Sequence, residues 1–143
     1  MRRRPVADDI GAVAGAVRWA GELAAMSGLS EDIRYGVEVC LEEALVNLVC
    51  HGRSRNGGKD IVASFRAEPP GARLVLSDRC LPFDSAGEPL PDKPTSEVLT
   101  VGGQGLRLLR AFCTGISYRS TPDGNELTLV FGPRSPATDG EAG

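Results

Sequence analysis

The sequence predicts an α/β fold, an α+β two-layer sandwich in which a mixed β-sheet has helices packed on one face. Its length of 143 residues, with 41% hydrophobic and 24% charged residues, is typical of one globular domain with a single core. The predicted elements run in the order helix, helix, strand, strand, long loop, helix, strand, strand. Because helices do not alternate regularly with the strands, a doubly wound parallel sheet is disfavoured.

Two amphipathic helices are predicted in the first third of the chain. Asp8 or Asp9 can cap the first helix, which runs to about Ser27 and stops at Gly28. Ser30 can cap the second helix, because a serine side chain accepts a hydrogen bond from a free backbone N–H at a helix start. The second helix has an apolar face at five positions: Ile33, Val37, Leu41, Ala44 and Leu48.

The rest of the chain predicts two hairpins that flank an irregular segment and a third helix. Alternating or branched residues predict four strands, at 61–66, 73–77, 116–120 and 126–131. Residues 79–101 have no regular pattern, and a loop of this length is usually functional. Residues 102–105 (GGQG) then open a helix that ends near Phe112. We expect a flexible N-terminus over 1–8, one domain over 9–132 and a disordered tail over 133–143.

Charge and composition argue against several classes of protein. The net charge is −3 and the one basic cluster is at residues 2–4, which disfavours direct nucleic-acid binding. No apolar run is long enough to span a membrane, and no apolar segment follows the arginines as in a signal peptide. The four cysteines form no C-x-x-C pair and His51 is the one histidine, so a zinc site is disfavoured. We therefore expect reduced cysteines in a cytoplasmic protein with no membrane partner.

Two polar residues of the second helix lie beside its apolar face. With about 100° of rotation per residue, Glu42 points away from that face, whereas Glu43 lies at its edge with Asn47 one turn further on. Taken alone, Asn47 is better explained as a structural asparagine that bonds a nearby loop. The functional alternative is a carboxylate that acts as a general base beside an amide oxygen that binds Mg²⁺.

Two further segments are candidates for a nucleotide site. Asp78 directly follows a predicted strand, where ligand groups are common, although aspartate is also an ordinary turn residue. Residues 102–106 (GGQGL) place glycines before a helix, where backbone N–H groups can bind phosphate. A glycine-rich turn before a helix is weak evidence alone, and this one fits neither a Walker A loop nor a dinucleotide fingerprint.

Taken together, these segments resemble the motifs of the Bergerat-fold ATPases, a superfamily that includes the histidine kinases. Residues 43–47 (EALVN) with His51-Gly52 resemble the N box, and 78–84 (DRCLPFD) resemble the first glycine box of the small bacterial form. Residues 102–106 resemble the second glycine box, and 124–129 (GNELTL) the closing strand. The resemblance spans about 10–131 and is greatest to the bacterial anti-sigma-factor serine/threonine kinases.

The resemblance implies a role for each motif residue. Asn47 would hold the Mg²⁺ that bridges the ATP phosphates, Glu43 would be the catalytic base, and Asp78 would accept a hydrogen bond from the adenine amino group. Glycines 103 and 105 would let the backbone wrap the phosphates, and the segment 85–101 would form a lid. The implied nucleotide-binding set is Asn47, Asp78, Cys80, Gly103, Gln104, Gly105 and Leu106.

One position departs from the family pattern. Cys80 stands where the first glycine box has glycine. A Cβ there costs free energy if the backbone needs a positive φ or must approach adenine closely, so we expect weakened ATP binding. His51 is interpreted as a packing residue at the helix end.

The resemblance therefore implies an enzyme with ATP and Mg²⁺ as cofactors. It would phosphorylate an anti-sigma-factor antagonist and sequester a sigma factor, and it could form a homodimer. One alternative is a non-catalytic protein-binding module on the same fold, which Cys80 favours. Another is the ATPase domain of a histidine kinase, which is disfavoured because no phosphoacceptor helix pair precedes the domain.

Overall fold

The computed structural model describes residues 1–54, 57–81 and 105–133, and for residues 105–107 it describes the backbone alone. The described elements are β1 (Arg2–Val6), α1 (Ile10–Met26), α2 (Glu31–His51), β2 (Ile61–Glu68), β3 (Gly71–Asp78), α3 (Gly105–Phe112), β4 (Gly115–Ser120) and β5 (Asn125–Phe131). The helices and the two predicted hairpins therefore occur where the sequence predicts them.

The strands form one five-stranded sheet in the order β1-β2-β3-β5-β4. Every pairing among the described strands is antiparallel, and β3 is central, with Asp78 opposite Asn125 at its end. The two-layer fold class is confirmed, but the expectation of a mixed sheet is wrong in this detail. The connections from β2 to β3 and from β4 to β5 are hairpins, which require antiparallel neighbours.

Local capping chemistry determines where the two long helices begin. The Asp9 side chain accepts from the Ala12 N–H at 3.0 Å, and the Ser30 hydroxyl accepts from the Ile33 N–H at 3.2 Å. Gly28 follows α1 with a φ of 75°, a conformation that ends helices and favours glycine. The predicted caps are thus confirmed, because capping depends on residues that are near one another in the sequence.

The core lies between α1 and α2 on one side and the sheet on the other. Alternate residues of β2, β3 and β5 are buried, as expected for a sheet with one covered face. The largest fully buried side chains come from both layers: Phe65, Phe131, Leu41, Leu45, Leu74, Leu129 and Val37. This packing places α2 in contact with β3 and β5 of the sheet.

The N-terminal segment differs from the prediction. Residues 1–8 were expected to be flexible, but Arg2–Val6 form β1 and pair with β2. Three arginines and a proline give no strand pattern, so the pairing depends on the edge that β2 offers. Pro5 lacks a backbone N–H, which an edge strand tolerates. The predicted disordered tail lies outside the described residues, apart from Pro133.

The residues that the structure describes also give findings on cysteine thiols, metal-binding clusters and membrane-spanning helices. None of the four cysteines, which all lie in the described ranges, forms a disulfide, and the sulfur atoms of Cys40 and Cys113 are 4.0 Å apart in the core. Within 1–54, 57–81 and 105–133, no cluster of three or more His, Cys, Asp or Glu side chains could hold a metal ion. None of the helices described there combines the length and the apolar character needed to cross a membrane.

Candidate nucleotide site

Helix α2 presents the predicted carboxylate and amide at the edge of the core. Asn47 is buried, with 7% of its surface exposed, whereas Glu43 is half-buried and Glu42 is exposed. Burial, and then the negative charge of Glu42, raises the pKa of the Glu43 carboxyl. The helical arrangement predicted from the sequence is therefore present, and Glu43 is shifted in the direction that favours proton acceptance near neutral pH.

Two short segments join the end of α2 to the end of β3. Ser54 and Cys80 form a β-bridge, and the Leu81 N–H donates to the Arg53 carbonyl at 2.8 Å. At Gly52, the space that a Cβ would occupy is 3.0 Å from the Cys80 sulfur. The backbone thereby brings residues 78–81, the described part of the first glycine box, against the C-terminal end of the helix that carries Glu43 and Asn47.

Asp78 is held at the end of β3 by a buried hydrogen-bond network. Its Oδ1 accepts from the Cys80 N–H at 2.8 Å and from Asn125 Nδ2 at 2.9 Å. Asn125 Nδ2 also donates to the Cys80 carbonyl at 3.1 Å. Because Asp78 and Asn125 are 8% and 3% exposed, the network lies largely out of solvent. A carboxylate fixed in this way is suited to recognise a hydrogen-bond donor on a ligand.

Asn125 was missed as a site residue. In the sequence it ends the turn 122–125, where asparagine is ordinary, and it also falls in the segment 124–129 that resembles the closing strand, but neither pattern assigns it a role in the site. The structure places it as the first residue of β5, paired with Asp78. An asparagine at the start of a strand that lies opposite a candidate aspartate was the available signal.

Cys80 is accommodated without left-handed backbone strain. Among the described non-glycine residues, Asp60 alone has a positive φ, so Cys80 does not occupy a conformation reserved for glycine. Its side chain is 1% exposed, and burial followed by the charge of Asp78 raises the pKa of its thiol to about 12. The thiol is therefore neutral at physiological pH. Of the two costs expected for a Cβ at this position, the cost of a positive φ is absent.

Lys59 is a second residue that the sequence analysis missed. Its Nζ donates to the carbonyls of Leu48 and Val49 at 2.9 and 3.0 Å and to Asp8 Oδ1 at 2.8 Å. The side chain of Lys59 is 9% exposed. A cation that binds the last carbonyls of α2 stabilises that helix end, directly after Asn47. A lone lysine in a glycine-rich connection gave no sequence signal for this role.

Several predicted site residues are described in part or not at all. Gly103, Gln104 and the predicted lid, 85–101, lie outside the described residues. Gly105 and Leu106 form the start of α3, which contacts α2, so the second glycine box leads into the helix as predicted. His51 is the last residue of α2 and is exposed, so its interpretation as a packing residue is wrong.

Comparison with known proteins identifies the family. The family model for the histidine kinase-like ATPase domain matches residues 6–131. The chain belongs to this family. It is also similar to the serine/threonine-protein kinase BtrW of Bordetella bronchiseptica, with 29% identity over 116 residues, which cover 80% of this chain and 82% of BtrW. The histidine kinase-like ATPase domain implies ATP binding, and the similarity to BtrW supports an enzyme of the kinase type.

The chemistry of the site fits a magnesium ion that arrives with the nucleotide. An amide oxygen is a hard ligand, and Mg²⁺ in nucleotide sites is commonly held by one or two protein oxygens together with phosphates and water. Asn47 supplies such an amide on the inner flank of α2. A metal ion held in this way would need no dedicated cage of protein carboxylates.

Proposed function

We propose that this protein is a serine/threonine kinase that uses Mg-ATP to phosphorylate an anti-sigma-factor antagonist. The observation that carries the proposal is the buried Asp78 network beside the end of α2, the helix that carries Glu43 and Asn47. This arrangement supports base recognition at Asp78 and phosphate chemistry along α2. The similarity to BtrW, a serine/threonine-protein kinase by name, supports a hydroxyl as the phosphate acceptor.

In this proposal the residues act mainly by positioning. Asp78 accepts a hydrogen bond from the adenine amino group, and the backbone of the second glycine box, Gly103 to Leu106, surrounds the phosphates. Asn47 would hold Mg²⁺, which supplies charge neutralisation on the transferred phosphoryl group. Glu43 accepts the proton of the attacking hydroxyl, and its raised pKa supports that role.

The proposed partners follow from the proposed reaction. A phosphate adds charge to the antagonist and can release it from an interface, which leaves the kinase available to bind a sigma factor. We expect a cytoplasmic protein that binds these partners directly and can form a homodimer. Light scattering of the purified protein, alone and with each partner, measures these assemblies.

Calorimetric titration with ATP tests the nucleotide site. We expect micromolar binding, about −8 kcal/mol, that requires Mg²⁺ for full affinity. Asp78→Asn should weaken ATP with and without the metal, whereas Asn47→Ala should remove mainly the gain that Mg²⁺ provides. Thr128→Ala is the control, because Thr128 is on β5 but on the face of the sheet away from the core. Absence of ATP binding by the folded wild type would refute the proposal.

Phosphate transfer to the antagonist distinguishes a kinase from a module that acts by contact alone. The second function is favoured by Cys80, which replaces a family glycine. We expect Glu43→Ala to lose at least about a hundredfold in transfer rate while antagonist and ATP binding are retained. Wild-type protein that binds antagonist and ATP but transfers no phosphate would support the binding module instead.

A further inference from the structure

A surface groove lies at the N-terminal end of α2, whereas Glu43 and Asn47 lie in the C-terminal half of the same helix. Its volume is about 390 Å³, which is in the range of ligand-binding clefts. At 1.5 Å per residue, the groove is roughly 20 Å from Asn47 along the helix axis, so it is separate from the candidate nucleotide site. The described residues that give the groove its chemistry are Asp32, Ile33, Tyr35, Ala111, Phe112 and Pro133.

Two aromatic rings line this groove, one from α2 and one from the end of α3. The rings of Tyr35 and Phe112 are in edge-to-face contact, with centroids 5.5 Å apart and an angle of 74° between their planes. Phe112 packs closely on α2, because a Cβ added at Gly36 would lie 3.2 Å from the Phe112 Cβ. Tyr35, in contrast, is 59% exposed. The groove therefore offers a solvent-accessible aromatic ring that is supported from behind by a packed one.

Asp32 is the only charged residue among the described residues that line the groove. It lies three residues before Tyr35 on α2, so the two side chains share one face of the helix. Asp32 is exposed and makes no ion pair or side-chain hydrogen bond within the described part of the chain. Arg34, a cation nearby in the sequence, is paired with Glu38 instead. The groove thus combines an unpaired carboxylate with an accessible aromatic ring.

We propose that this groove docks an arginine side chain presented by a partner protein. A guanidinium is planar, stacks on aromatic faces and forms paired hydrogen bonds with a carboxylate. Tyr35 and Asp32 offer these two contacts on one helix face, and the apolar lining from Ala111 and Pro133 suits the methylene stem of an arginine. This docking requires no nucleotide, so the inference goes beyond the proposed function.

An NMR titration of the isotope-labelled full chain with acetyl-Gly-Arg-Gly-amide tests the groove. We expect saturable, roughly millimolar binding, with chemical-shift changes centred on the backbone amides of the lining residues. The same peptide with lysine in place of arginine should bind about threefold more weakly or worse, because an ammonium lacks the planar fork of donors. A glutamine peptide, which has no charge, should produce no saturable change.

Two substitutions in the full chain separate the two contacts. Asp32→Asn should weaken the arginine peptide about threefold or more, since it removes the charge of the carboxylate. Tyr35→Leu keeps apolar bulk against Phe112 but removes the aromatic face, and we expect a loss of similar size. Both side chains are exposed, so the variants should fold, as judged by circular dichroism, and should bind ATP as wild type does.

Glu31→Gln is the matched control for Asp32→Asn. Both carboxylates lie in the first turn of α2, so each substitution removes a favourable interaction with the helix dipole. Glu31 does not line the groove, and its substitution should change the peptide affinity less than about twofold. Equal losses from the two variants would show a general attraction to the acidic start of α2 and would overturn the inference.

The remaining outcomes concern other occupants of the groove. Absence of saturable shifts at the lining residues in wild type would overturn the inference. Arg134 follows Pro133 in the sequence, so an Arg134→Gln variant with shifted groove amides and tighter peptide binding would identify the chain's own arginine as the occupant. If Asp32→Asn lowers self-association in light scattering, the occupant is a second copy. Both results would overturn docking of a partner. Failure of ATP binding would leave the inference standing, because no titration here contains nucleotide.

Discussion

At the scale of single residues, the fold raises the pKa of Glu43, which is the direction that favours proton acceptance by this carboxylate. Burial and the charge of Glu42 raise its pKa above the ordinary value of 4.5, so the folded state disfavours the carboxylate. A base with a raised pKa accepts a proton more easily during phosphoryl transfer. The same shift makes the ionised form of the carboxyl less stable in the resting folded protein. This cost is a property of the fold and can be measured without any partner protein.

Glu43→Gln should reveal that cost as a pH-dependent difference in stability. Below about pH 4 the carboxyl is protonated in both the folded and unfolded states, and the two proteins should be equally stable. As the pH rises from 4.5 through the raised pKa, wild type loses stability relative to Glu43→Gln, because the unfolded state ionises first. The residue is half-buried and solvent screens part of its charge, so we expect less than about 1 kcal/mol at pH 7.

Urea unfolding of both proteins at about pH 4 and pH 7 measures this difference. Every other titrating group is shared, so the comparison isolates Glu43. A glutamine variant that is clearly less stable than wild type at pH 7 would show that the ionised carboxylate makes favourable contacts, contrary to the expectation.

Position 52 has no room for a side chain, which is why glycine is suited to it. A Cβ at this position would lie 2.5 Å from the Leu48 carbonyl oxygen and 3.0 Å from the Cys80 sulfur. The carbonyl cannot move easily, because the Gly52 N–H and Lys59 Nζ both donate to it. We expect Gly52→Ala to lower the free energy of unfolding by about 2 kcal/mol.

Chemical denaturation with two further variants locates the cause. Gly58→Ala is the matched control, since a Cβ there would meet no atom within 4 Å, and it should change stability little. Adding Cys80→Ala to Gly52→Ala removes only the sulfur contact and should recover little stability. Full recovery in the double variant would instead identify the sulfur as the obstacle.

At the scale of elements, the end of α2 depends on a residue from outside the helix. Lys59 donates to two terminal carbonyls, Leu48 and Val49, and is paired with Asp8 before α1. Asn47 immediately precedes these carbonyls, so the position of the proposed metal ligand depends on this cap. One side chain thereby joins the N-terminal segment, the α2 helix and the connection to β2.

Lys59→Met should destabilise the protein by about 1–3 kcal/mol while keeping the apolar stem of the side chain. The matched control is Asp8→Asn, which removes the ion pair but leaves both carbonyl bonds, so its effect should be smaller. Urea unfolding measures both variants, and titration with Mg-ATP should show weaker binding for Lys59→Met. Equal effects of the two variants would assign the stabilisation to the ion pair alone.

The same element shows why part of the structure was predictable and part was not. The caps Asp9 and Ser30 bond N–H groups three residues away, so the sequence contains the whole interaction. Lys59 acts on carbonyls 10 and 11 residues earlier in the chain, and Asn125 acts on a carboxylate 47 residues away. Such partners are decided by tertiary packing, which composition and periodicity do not encode.

At the scale of the whole molecule, the order of the motifs along the chain predicted a single site more strongly than any one motif did. Glu43, Asn47 and Asp78 are individually ordinary residues, and their joint resemblance to the N box and first glycine box indicated one site. The structure supports that grouping through the backbone contacts that join the segment after α2 to Cys80 and Leu81. Strand β1 could not be predicted in this way, because it depends on a free edge of the sheet and not on its own pattern.

A site assembled from α2, β3 and β5 should couple nucleotide binding to the stability of the whole domain. These elements share one core, so a ligand that binds only the folded state stabilises all of them together. At an ATP concentration of about 100 times the dissociation constant, ATP with Mg²⁺ should add about 2.7 kcal/mol to the free energy of unfolding, which corresponds to a rise in Tm of roughly 10 °C for a domain of this size.

Thermal denaturation over a series of ATP concentrations measures the effect. Asp78→Asn should lose most of the rise and Thr128→Ala should keep it. A concentration-independent Tm in wild type would show that ATP does not bind the folded domain.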